Sequence, residues 1–269
     1  MTLLALRALA RAPGRSALRV LVLAAAVALL GAMLIFVGHS LRTMTASAVR
    51  SVPVDWQGPV GSYGAAVRVA NGVARQPGIL EAVPVATAPF AGAEHRAPAG
   101  DIRSAAGAIL AVPPSYPAHL KTFRFLRGSL RPGAIVLDQQ LAATLQAGVG
   151  DTVALTPRSG ARPVSLRVSG IAVVTAPDVL FQPLNPLAGP APAQPPANVV
   201  ILPLRTFARR IATELPAMGA TSAASAVPGA QRAIQWQVQA QLDPRVLGGS
   251  PASALKQADR ARNRVERSF

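Results

Sequence analysis

Val20 to Gly38 reads VLVLAAAVALLGAMLIFVG, nineteen residues without a charge, bounded by Arg19 and His39. At about 1.5 Å per residue the run reaches roughly 28 Å, the thickness of a bilayer's hydrocarbon core. Its Leu, Ile, Val and Phe residues each favour insertion by about 0.3–0.6 kcal/mol. No helical phase of the run carries a polar face, which argues against the core helix of a soluble protein. A cleaved signal is the other reading, because Ala46-Ser47-Ala48 has the small-x-small pattern. However, the run is longer than a signal's apolar stretch, and that site lies well past its end. The reading carried forward is a retained transmembrane helix over residues 16–42, capped by Ser16.

The flanks set its direction. Arg7, Arg11, Arg15 and Arg19 precede the run, and no acidic residue occurs before Asp55. Basic residues beside a first span stay on the cytoplasmic side. The N-terminus is therefore expected in the cytoplasm and the main domain outside the inner or plasma membrane. Residues 1–15 place Leu3, Leu6 and Ala10 apart from Arg7 and Arg11, an amphipathic helix suited to the inner membrane surface, broken at Pro13-Gly14. A plain topogenic flank with no further role is an equal reading.

The composition fits this division. The 269 residues carry 27 Lys+Arg against 11 Asp+Glu, a formal charge of +16, yet only 14% are charged and 51% hydrophobic. Mean hydropathy is +0.35. A basic nucleic-acid binder is rich in charge and poor in apolar residues, so no nucleic-acid partner is expected. Only Lys121 and Lys256 are lysine, a bias of genome composition rather than of phosphate recognition. Cysteine is absent, which removes disulfides, thiolate metal sites and cysteine nucleophiles.

Beyond the span the chain alternates strand and helix signals. Val54 to Val60 reads as a strand, Ala65 to Gln76 as a helix stopped at Pro77-Gly78, and Ile79 to Phe90 as a strand broken at Pro84 and Pro89. These form a βαβ unit. Strands follow at 106–112, 133–138, 151–156 and 164–174, the last two joined through Arg158 to Ala161 as a hairpin. A short helix covers 139–147. Proline-rich 182–198 reads as an extended loop, 199–202 as a strand and 204–215 as a helix. In Ala233 to Leu242 (AIQWQVQAQL), apolar residues alternate with Gln235, Gln237, Gln239 and Gln241, the pattern of a strand with one buried face. Trp56-Gln57 and Trp236-Gln237 point to neighbouring strands. The expected fold class is α+β. One transmembrane helix is followed by a βαβ subdomain (43–102 and 230–250), into which a β-rich subdomain (103–229) is inserted. A charged helix over 251–269 heads back toward the membrane.

No nucleotide P-loop, G-x-S-x-G or H-E-x-x-H occurs, and His39, His95 and His119 are far apart. The carboxylates are scattered singly, so no acid/base pair is indicated. No enzyme activity, metal or cofactor is expected. Arg124, Arg127 and Arg131 cluster around Phe123 and Phe125. They read either as a site for an anionic partner or lipid headgroup, or as a solvated basic helix or loop.

The stretch Gly128-Ser129-Leu130-Arg131-Pro132-Gly133-Ala134-Ile135-Val136-Leu137, then Leu141-Ala142, then Gly148-Val149-Gly150-Asp151-Thr152-Val153, followed by Val168-Ser169-Gly170-Ile171-Ala172, resembles FtsX-like/MacB-type ABC transporter permeases. Physically, Gly148 and Gly150 let the chain leave a helix and turn, and Asp151 accepts backbone hydrogen bonds as the next strand begins. The resemblance covers the first span and the extracytoplasmic domain, and it implies further spans elsewhere in the transporter. It also implies a cytoplasmic ABC ATPase subunit, a second permease subunit and surrounding membrane lipid as partners. ATP hydrolysis inside would then drive a change of shape outside. A single-pass anchored binding or adaptor protein is the alternative, and a protein secreted after cleavage near Ala48 a third.

Overall fold

The computed structural model describes residues 13–51, 53–98, 100–184, 194–215 and 234–243, together with Lys256, Asp259, Arg260 and Asn263. Helix α1 (Pro13–Ser51) is continuous through the apolar run. Its large apolar side chains from Leu18 to Val37 are exposed, Leu29 and Leu34 at 74%. A helix with no protein around it and no polar face has lipid as its solvent. Ser16 is not the cap: the helix already begins at Pro13, whose fixed φ and missing N–H suit a first turn. Residues 1–12, where the amphipathic helix is expected, lie outside the described residues. So does most of 251–269, although its four described residues are helical.

The domain begins with β1 (Trp56–Val60), α2 (Tyr63–Ala74) and β2 (Ile79–Phe90). Ser62 caps α2 by accepting the N–H of Ala65 at 3.2 Å. Strand β11 (Gln235–Leu242) lies between β1 and β2, antiparallel to both, with Val60 opposite Trp236 and Thr87 opposite Gln235. Ala70 and Val73 of α2 pack on Val238 and Ala240 of β11 and Ala82 of β2. Unlike the expectation, β2 runs unbroken through Pro84 and Pro89. Pro84 has only β11 beside it, and Pro89 only a neighbour on the other edge, so each missing N–H has an open side to face.

The remaining strands are β3 (Gly92–Ala97), β4 (Gly100–Arg103), β5 (Gly107–Val112), β6 (Phe123–Gly128), β7 (Ala134–Asp138), β8 (Thr152–Thr156), β9 (Val164–Val174) and β10 (Val199–Pro203). One path orders them β1-β11-β2-β5-β10-β7-β9-β8-β3-β4, with β6 on β9. Because Ala91 alone separates β2 from β3, the ladder from β2 through β8 returns to the strand it left. Inside it sit Phe90, Ile109, Ile135, Leu155, Leu166 and Val200, joined by Leu141 and Leu145 of α4 (Gln139–Leu145) and Phe207 of α6 (Leu204–Arg210). Trp236 ties this core to the βαβ unit, its ring 5.5 Å from Tyr63 and 5.7 Å from Phe207. The opposite face of the sheet is covered by Tyr116 of α3 (Tyr116–His119), Leu120, Leu180 of α5 (Pro177–Leu180) and Phe181.

Two expectations change here. The stretch Phe123 to Gly128 is a strand, not a basic helix or loop. Phe123 and Phe125 face the second core while Arg124 faces away, an alternation too short to stand out against the arginines. The glutamine face of β11 is not solvated: Gln235, Gln237 and Gln239 are buried, so β11 is covered on both sides.

Candidate functional site

The turn after α4 is built from backbone and one carboxylate. The helix ends through Gln146, not a glycine, at φ 52°, and the Gln146 N–H donates to the carbonyls of Ala142 and Ala143. Gly148 is therefore not the helix exit. It stays out of the left-handed region and donates its N–H to Asp151 Oδ2 at 2.7 Å. Gly150 does need its glycine, at φ 107°. The turn is pinned to β9: Gly150 N–H donates to the Val168 carbonyl at 2.9 Å, and Val168 N–H to the Asp151 carbonyl at 2.7 Å. On its other side His95 of β3 donates Nδ1–H to the Leu145 carbonyl at 2.9 Å, which fixes the tautomer.

Beside this turn lies a groove of about 410 Å³, lined by Leu126, Arg127, Ala142, Ala143, Gly148 and Ile171, with Gln139, Gln146 and Ala147. None of these residues is acidic. Among the described residues outside α1, the exposed large apolar side chains are Leu80, Leu126 and Val149, so two of three flank this one place. The arginines depend on a bulge. Strict alternation would send Arg124 and Arg127 to opposite faces, but the register shift between Phe125 and Arg127 sets them opposite Val173 and Ile171, two positions of one face. Both are exposed, as is Arg131 in the following loop. The groove thus brings Arg127 and Gly148 together; Arg124 and Arg131 do not line it. Arg15 and Arg19 lie within α1, while Arg7 and Arg11 fall outside the described residues.

Two titratable groups elsewhere are perturbed. Burial raises Asp55, and the hydrogen bond from the Leu242 N–H partly offsets this. Burial also raises Tyr116, partly offset by its bond to Thr122. Among the described residues no group of three His, Asp or Glu gathers as metal ligands.

The groove offers apolar contact and a guanidinium; it offers no nucleophile beside a base. An exposed apolar helix leading into an α+β domain with such a surface is the organisation of a membrane-anchored domain. The model of the MacB-like periplasmic core domain matches residues 16–244, and the chain belongs to that family, the extracytoplasmic part of MacB/FtsX-type ABC transporter permeases. Among solved structures, the periplasmic region of MacB from Actinobacillus actinomycetemcomitans is similar at 13% identity. That match covers 75% of this chain and 78% of that one, with a TM-score of 0.42. No curated protein matches the chain.

Proposed function

We propose that the chain is the first span and outer domain of a permease subunit, working with a cytoplasmic ABC ATPase and a second permease subunit. The N-terminus is cytoplasmic, and the outer domain, a βαβ subdomain (43–102, 230–250) with a β-rich insert (103–229), changes shape as ATP is hydrolysed inside. One observation supports this reading most: α1 continues beyond the apolar segment Val20–Ser40 to Ser51 without a break. Eleven further residues extend a helix by roughly 16 Å. A continuous helix passes on tilt and rotation, which a coil would absorb.

The groove between β6 and α4 is the proposed contact for what the domain acts on. Its arginine and apolar floor favour a partner with an anionic group beside an apolar one. Affinity purification from membranes tests the assembly. The reading expects an ABC ATPase to co-purify; a chain recovered repeatedly without one favours the single-pass adaptor.

A further inference from the structure

One face of β1, β11 and β2 is a row of amides. Among the described residues, five buried side-chain atoms have no hydrogen-bond partner: Gln57 Oε1, Thr87 Oγ1, Gln237 Nε2, Gln239 Nε2 and Gln241 Oε1. The register puts all five on this face, with Gln57 opposite Gln239 and Thr87 opposite Gln235. Thr87, Gln237 and Gln239 are fully buried. A buried polar atom left unpaired is costly, and native cores keep few of them. Five on one face make a hydrogen-bonding surface that is only partly used.

The part in use shows what it recognises. Residues 177–184 lie across this face, and the glutamines hold their main chain. Gln57 Nε2 donates to the Val179 carbonyl at 3.3 Å and Gln235 Nε2 to the Gln182 carbonyl at 3.3 Å. The Leu184 N–H donates to Gln235 Oε1 at 3.2 Å. Leu180 and Phe181 anchor the segment in the second core. A glutamine amide pairs with a peptide group whatever side chain that peptide carries. Tyr116 fixes the next glutamine by donating to Gln239 Oε1 at 2.7 Å while accepting from Thr122 at 3.0 Å, which leaves the amide N–H over.

We propose that this glutamine face is a binding site for the main chain of a polypeptide segment of a partner protein, one that leaves a short helical turn as residues 177–184 do. Residues 177–184 are the chain's own occupant, a strap that the partner displaces. The inference is independent of the permease reading and of the β6–α4 groove.

Hydrogen exchange of the full chain in detergent, with and without a capped peptide of the strap's sequence (PDVLFQPL), tests it. Strap amides should exchange at least about tenfold faster than those of β11, and the added peptide should bind and speed them further. Thr87→Val, which removes a buried hydroxyl that has no partner at nearly the same volume, should slow strap exchange about tenfold. A strap exchanging at the rate of β11, a peptide that leaves strap exchange unchanged, or a Thr87→Val strap that opens faster would each overturn the proposal.

Discussion

His95 Nε2 stands 3.7 Å from Asp151 Oδ2, an ion pair when the ring is protonated, so the turn after α4 is held between β3 and β9. Asp151 also accepts the Gly148 N–H, and its backbone joins β9. One residue therefore joins three segments, its side chain facing β3 and the turn and its backbone pairing with β9. Asp151→Ala should cost about 1–2 kcal/mol, whereas Asp151→Asn, which keeps an acceptor oxygen for Gly148, should cost distinctly less. Urea unfolding followed by tryptophan fluorescence measures both. Equal losses would mean that the charge, not the backbone acceptor, matters.

Gln146 holds a conformation that glycine adopts without strain. Gln146→Gly should stabilise the domain by about 0.5–1 kcal/mol. Gly150→Ala, at φ 107° where a Cβ would meet only the Arg167 guanidinium in ordinary contact at 3.9 Å, should instead destabilise by about 1–2 kcal/mol through backbone strain. Thermal unfolding of the two variants should therefore shift in opposite directions. A stabilising Gly150→Ala would contradict the backbone assignment.

Asp55 gives a pH dependence. Its folded-state value is raised above the ordinary 3.8, chiefly by burial. The folded state therefore holds this proton more tightly than the unfolded one. The resulting stability is present below the unfolded value and is lost as pH rises through the folded one. Asp55→Asn keeps an oxygen for the Leu242 N–H and removes the titration. Its stability relative to the parent should rise with pH from about 3.8 upward and then level off. A flat difference across that range would show that Asp55 is not perturbed.

Much of the fold is legible from periodicity, and the exceptions have physical causes. The span and strands β2, β5, β7, β8 and β9 each carry a strong apolar pattern. Strands β3 (GAEHRA) and β4 (GDIR) do not, because they depend on pairing with each other and with β8 rather than on their own apolar faces. The burial of Gln235, Gln237 and Gln239 is invisible locally, since their cover comes from residues 116 and 177–184. Arg127 and Gly148 are readable separately, but their meeting depends on the bulge in β6 and on how α4 packs.

The central claim is that α1 is a rigid link between ATP hydrolysis inside and movement outside. Its most direct test is a flexible Gly-Ser insertion near Ala46, paired with a helical insertion of equal length, in the assembled transporter. The measurement is ATPase activity together with the response of the outer domain to ATP. The account predicts that the flexible insertion leaves hydrolysis running but abolishes the outer response, while the helical insertion preserves a response. An unchanged response across the flexible insertion would contradict it.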